Sequence, residues 1–236
     1  MLADIADIRL RNEVKDTFDT EQITSFDRVR DHIVPHLVGE KWNRELLEKK
    51  PHMTMDDLAV TYHVILERDF DGVASVPVTN ELMAAWGVRI AELHELALQN
   101  MTFLTPSTFH SMRSVLGSML AVDLPDGMDE EAEQIMSEMM SQEEGMFVLS
   151  NKQKLHGASA ILDKEIMRRV TELIGNDFFV IPSSVHELLI VPIKAGIEAS
   201  AITDMVKDVN ATQVSPDERL SDHVYRYDPV HGLYSE

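Results

Sequence analysis

The chain has 236 residues, 44% of them hydrophobic and 26% charged, with a net charge of −20 and no cysteine. Length and composition are those of an ordinary soluble globular protein of one large or two small domains, and so acidic a balance argues against direct nucleic-acid binding and against anionic membranes. The lack of cysteine excludes disulfides, thiolate nucleophiles and Cys-ligated metal sites; no apolar run approaches the ~20 residues of a membrane span, and the opening MLADIADIRLRNEVKD has no signal-peptide core. The cytoplasm is the expected compartment. The charge serves either solubility alone or attraction to a basic partner.

In TEQITSFDRVRDHIVPHLV, Phe26, Val29, Ile33, Val34 and Leu37 recur at near-helical spacing, which predicts a helix ended or kinked at Pro35. A short second helix carries Trp42, Leu46 and Leu47 and stops before Pro51. The period then changes to two. Leu58, Val60, Tyr62, Val64 and Leu66 share one face of a strand, and VASVPV is its partner across a turn at 69–72. Three helices are expected next: one capped by Thr79 or Asn80 and closed at Gly87, one burying Ile90, Leu93 and Ala97, and one starting at Ser107 with Phe109, Met112, Val115, Leu116 and Met119 inward.

Residues 123–144 stand apart in composition, with nine acidic residues, four methionines and no basic residue. Such a stretch is either a solvated insertion or a methionine-rich strip for a basic partner. Beyond it, GMFVLSN reads as a strand, GASAIL as a strand or turn, and Asp163 caps a helix with Ile166, Met167, Val170 and Leu173 inward. DFFVIP and VHELLIVP are strands separated by Ser183–Ser184, and Ile181, Val185, Leu188, Leu189, Ile190 and Val191 place this stretch at the sheet centre with both faces buried. A helix bearing Ile202, Met205, Val206 and Val209 precedes a terminal hairpin, HVYRYD and HGLYSE. The predicted fold class is α/β, more narrowly a mixed α+β arrangement: a mixed sheet with helices packed on it, a helical segment over 1–50, and the α/β domain over 51–236, in one compact unit.

Several of these segments, WNRELLEKKPHMTMDDLAVTYHVILE, VPVTNELMAAWGVRIAELHELALQN, MFVLSNKQKLHGASAIL, FFVIPSSVHELLIVP and VNATQVSPDERLSDHVYRYD, resemble in order and spacing the bacterial family called domain of unknown function 5688. The resemblance runs from about Arg28 to the C-terminus; the middle of the chain is also similar to domain of unknown function 1444. It implies an α/β fold in a bacterial cytoplasmic protein and carries no activity with it. It also implies further residues ahead of this point, so that a shorter variant or a trimmed N-terminus is expected.

Each local pattern of reactive residues has a structural alternative. Ser184, His186 and Glu187 resemble a hydrolase relay, but on a strand His186 and Glu187 point to opposite faces, and no G-x-S-x-G elbow presents a nucleophile. A turn feeding a core strand explains them as well, unless the fold brings a distant acid such as Asp222 to His186. HEL at 94 and 186 lacks the second histidine of a zinc protease motif, and His32 and His36 have ligand spacing only if they share a helix. Phosphate-loop patterns are missing. Two polar clusters remain: Asn151 and Lys152 after a strand, and Asn210 and Gln213 at a helix end followed by Asp222.

The leading expectation is a non-enzymatic protein–protein interaction module with an acidic surface and a protein partner of basic character; a homo-oligomer is compatible with it. A small-molecule binder or hydrolase-like enzyme, with Ser184, His186 and Asp222 as catalytic candidates and Asn151, Lys152, Asn210 and Gln213 as ligand-binding ones near the C-terminal strand ends, is the alternative. An acidic nucleic-acid mimic is the third. No cofactor and no metal site is expected.

Overall fold

Alternating apolar residues make the long strand around which the first sheet forms. The structure, a computed structural model, describes residues 23–69, 72–123, 145–193 and 198–235. In it β3 (Leu58–Asp69) pairs along one edge with β1 (Ile33–Gly39), and along the other with β2 (Met53–Met55) and then β4 (Gly72–Pro77). The helix expected through Pro35 is thus replaced. A four-residue α1 (Phe26–Val29) and one 3-10 turn (Arg30–His32) lead directly into β1. Ile33, Val34 and Val38 are β-branched, and Pro35, which has no N–H, is tolerated because β1 is an edge strand. Both faces of β1 are buried, so its apolar residues do not alternate, and the run imitated a helix. His32 and His36 consequently share no helix, and the metal spacing read there dissolves.

The remaining helices are α2 (Glu40–Leu47), α3 (Asn80–Trp86), α4 (Ile90–Leu104), α5 (Met112–Asp123), α6 (Lys164–Ile174) and α7 (Ala199–Thr212). Their punctuation follows local chemistry. Thr79 Oγ1 accepts the Leu82 N–H at 3.2 Å, Gly87 closes α3 at φ +69°, and Asp163 Oδ1 accepts the N–H groups of Glu165 and Ile166 at 3.0 and 3.3 Å. The helix expected from Ser107 begins later. Residues Ser107–Ser111 form β5, and Phe109 stacks on Phe147 at 5.1 Å across the pairing with β6 (Phe147–Asn151). Pairing with a neighbouring strand overrode the local helical pattern. GASAIL is a 3-10 helix (Gly157–Leu162) instead of a strand or open turn.

The second sheet runs β10 (Gly232–Ser235), β9 (Tyr225–Asp228), β7 (Phe178–Ser184), β8 (Glu187–Pro192), β6, β5. Every pairing between described strands is antiparallel, which gives a mixed α+β fold. The burial on both faces expected of both strands holds for β7, where Phe178 and Val180 join the main core and Phe179 and Ile181 meet Ile202 and Val206 of α7, whereas β8 fully buries only Leu188 and Ile190. Ser183 and Ser184 end β7, and the turn is Val185–His186, two residues beyond the expected one. Leu173, Met205 and Val209, expected inward, are exposed. The acidic stretch, beyond Asp123, lies outside the described residues.

One core spans both sheets. On the first, Ile33, Leu37, Val60, Tyr62 and Val64 share a face that packs with Leu93 and Ala97 of α4; Leu149, Phe178, Leu188 and Tyr225 continue it in the second. The two sheets touch again where β1 ends: a Cβ placed on Gly39 would stand 2.1 Å from the Leu220 carbonyl oxygen and 2.7 Å from the Trp42 ring. Gly39→Ala is therefore expected to cost about 1–3 kcal/mol in urea unfolding; an unchanged midpoint would show that this approach is not made in solution.

Candidate functional site

The other face of β1–β3 carries polar residues, and it is buried as well. Register places His36 opposite Thr61 and His63 opposite Val34, so both imidazoles project from the same side. Against that side lies the segment leading into the 3-10 helix, with His156 in the left-handed region at φ +51°. The three rings stack: His63 on His36 and His36 on His156, each pair with centroids 4.0 Å apart. His186, in the β7–β8 turn, continues the row 5.5 Å from His156. Its Nδ1 accepts the backbone N–H of His156 at 3.1 Å, and its Nε2 faces Glu218 at 3.3 Å. The far end is closed by Ser75 of β4, whose hydroxyl lies 3.3 Å from His63 Nδ1.

Glycine makes this contact possible. A Cβ on Gly157 would stand 2.2 Å from Ser150 Oγ and 2.5 Å from the His186 carbonyl, which itself accepts a bond from Ser150 Oγ at 2.8 Å. His36 is 7% exposed, and neither of its ring nitrogens meets a hydrogen-bond partner among the described residues. His156 Nδ1 is likewise buried without one. Both border a cavity of about 50 Å³, shared with Ser75, Thr105 and Gln153 and large enough for a few water molecules.

Burial sets the charge state of this column. It holds His36 well below the ordinary histidine range, and the nearby His63, His156, Lys50 and His186 add to the effect. Burial, then Lys50 and His156, bring His63 to about 3. His156 is lowered by burial first and by His186, against an opposing pull from Glu218. His36, His63 and His156 are therefore neutral at neutral pH, yet among the described residues no three His, Asp or Glu side chains converge on a point a metal could occupy. Rings stacked face to face set their nitrogens side by side instead of around a common centre.

The residues singled out in the sequence fall into separate contact sets. Ser184 Oγ accepts the His186 backbone N–H at 3.1 Å and has no bond to the imidazole. Both nitrogens of that imidazole are already engaged, by His156 and Glu218, so it cannot take a proton from Ser184. The acid at His186 is Glu218, four residues before Asp222. Asn151 is buried and braces the loop that follows, its side chain bonding both the N–H and the carbonyl of Leu155 at 3.3 and 2.8 Å. Lys152 is exposed.

Asn210, Asp222 and Gln213 belong to the C-terminal end. Asn210 is buried on α7 and its amide donates to the Ser221 carbonyl at 2.8 Å and to Asp222 at 3.1 Å. Asp222 also holds Lys41 at 2.6 Å. Burial opposes its ionisation, but the bonds from Lys41 and Asn210 prevail and keep its carboxyl below the usual range. Gln213 is the exposed residue that ends α7.

Next to it stands a constellation that no sequence pattern announced. Ser221 Oγ lies 3.0 Å from His223 Nδ1 and donates to Asp57 at 3.4 Å; Tyr225 donates its hydroxyl to the same carboxylate. These are the residue types of a hydrolase triad in a different arrangement. Ser221 is fully buried, it also accepts the His223 N–H at 3.3 Å, and His223 Nε2 is 3.7 Å from Asp57. No substrate atom can reach that oxygen, and the acid bonds the serine directly instead of orienting the imidazole. The group ties residues 221–225 to the β2–β3 turn. Burial, reinforced by Asp57, pushes the Tyr225 hydroxyl well above its ordinary range.

An antiparallel α+β protein with a buried histidine column and a polar latch is the class these features define. The model of the family of unknown function DUF5688 matches residues 1–229, and the chain belongs to that family. The match begins at residue 1, ahead of the resemblance read from about Arg28. No curated protein and no solved structure matches it.

A fluorophosphonate probe is expected to leave Ser221 and Ser184 unmodified by intact mass. A stoichiometric adduct lost in Ser221→Ala or Ser184→Ala would demonstrate a working relay.

Proposed function

We propose that this protein is a cytoplasmic, non-enzymatic module that binds a basic protein partner, and that α7 supplies part of the contact. One observation carries the reading. Ala201, Met205 and Val209 stand four residues apart on the outer side of α7, with Met205 48% and Val209 42% exposed. They form a continuous apolar row on a helix that already buries Ile202 and Val206 on its other side. Asp204 and Asp208 border the row on the exposed surface. A methionine-bearing row with acidic borders suits an amphipathic, cationic surface, whose apolar side chains it would cover and whose charge the chain's −20 would attract. The acidic and methionine-rich sequence of 123–144 has the same chemical character.

The experiment compares wild-type protein with the double variant Met205→Glu/Val209→Glu, both checked for fold by circular dichroism, as immobilised bait in lysate. The expected result is a specific basic protein retained by the wild type, released at about 0.5 M salt, where charges are screened within a few ångströms, and at least tenfold depleted on the variant. Equal retention by both baits, or no specific protein on either, would overturn the reading.

A further inference from the structure

The histidine column is independent of the α7 surface and has a chemistry of its own. Its members come from four separate places: His36 on β1, His63 on β3, His156 ahead of the 3-10 helix and His186 in the β7–β8 turn. Two of these belong to the first sheet, and two to segments carried by the second. The column is thus a seam between the sheets, made of stacked imidazoles where a protein of this size ordinarily has aliphatic packing. Among the described residues, the charged and titratable groups facing it are these. Lys50, in the connection from α2 to β2, adds positive charge beside His36 and His63. Among the described residues Glu218 is the carboxylate at the column, and it sits at the outer end, against His186. Ser75 is uncharged and closes the inner end.

A proton placed on His36 or His63 has no carboxylate acting on it, and one on His156 feels only the pull of Glu218, which burial and His186 outweigh. The second proton would lie about 4 Å from the first in a poorly solvated seam, with Lys50 adding to the repulsion. The closed seam therefore accepts neutral imidazoles only. Separated, the same rings are hydrated and take up protons at the ordinary histidine pKa of about 6.5. We propose that this column is an acid-sensitive joint: the first sheet and the segment 152–162 stay closed on each other while its imidazoles are neutral, and proton uptake by His63, His36 and His156 drives them apart. The unpartnered, buried Nδ1 of His156 and the cavity that His156 and His36 both border mark where water first enters.

The sign follows from linkage. The open form binds more protons than the closed form below about pH 6.5, so acid favours opening; above that value the closed form is at its full stability. For His63 the effect ends at about 3, where the closed form also protonates. Three imidazoles acting together raise the opening constant by up to about 1000-fold per pH unit, and removal of one reduces this to about 100-fold.

Hydrogen exchange of the full chain, corrected for intrinsic rates, tests this between pH 7.5 and 5.5, a range in which ordinary carboxylates stay ionised. Amides of 33–39 and 157–162 are expected to open at least 100-fold more at the lower pH, while those of the terminal hairpin at 225–235 change little. His36→Phe keeps a ring in the stack without a titrating nitrogen, and its pH response should be at least tenfold smaller; His63→Phe is the same test at the neighbouring ring should the first variant not fold. Uniform acceleration across the chain, no acceleration at the seam, or a response unchanged in a folded variant would each overturn the joint. Stoichiometric binding of zinc chloride at pH 7.5 with protection of the same amides would also overturn it, because the column would then be a metal site.

Discussion

The seam between the two sheets depends on two close approaches at residues with no room for a methyl group, one among the second sheet's own elements and one between β1 and the segment ahead of β9. Gly157 seats the 3-10 helix against Ser150 and the His186 carbonyl, and Gly39 seats the end of β1 against Leu220. With those approaches made, the rest of the seam is constrained. His156 is held in a left-handed conformation directly before Gly157, its ring is delivered onto His36, and the segment after Leu220 is brought within reach of Asp57. The histidine column and the polar latch are both consequences of how close the two backbones come.

The latch and the column also show how residue type and residue role separate. Serine, histidine and carboxylate meet at 57, 221 and 223, and again near 184, 186 and 218, yet at the first the serine that meets the imidazole is fully buried, and at the second it bonds only the His186 backbone N–H. At the first, the serine is sealed and its bonds close a turn on itself. At the second, the imidazole is spent on holding a backbone N–H and a carboxylate. What these groups do is join distant stretches of chain through directional contacts, which fix one relative placement of the sheets where apolar packing alone would tolerate several.

Elements whose signals are local were legible in the sequence. The caps at Thr79 and Asp163, the period-two run of β3, the central placement of β7 and β8, and the terminal hairpin all follow from neighbours a few residues away. Ser107–Ser111 and Ile33–Gly39 were misread because a strand buried on both faces, or paired with a distant one, loses the alternation that would reveal it. The site was hardest to read. His63 sits on the polar face of a strand whose apolar face was evident, and parity alone gave that much. That His36 shares its face depends on the β1–β3 register, and that His156 and Glu218 arrive there depends on connections across more than a hundred residues. No window of sequence contains that information.

Pro35 has an effect beyond ending a misread helix. Among the described strands β1 is the outer member of its sheet, and outer strands invite a further strand from another molecule. In the middle of β1 the proline offers no N–H to such a newcomer, so a ladder started there is interrupted halfway. Strand addition along this side is obstructed twice, by the proline and by burial, since Ile33, Val34 and Leu37 expose no surface and Asn100 already bonds the Ile33 carbonyl. For a chain whose seam is sensitive to acid, the edge next to that seam is thereby kept from sticking when the seam loosens.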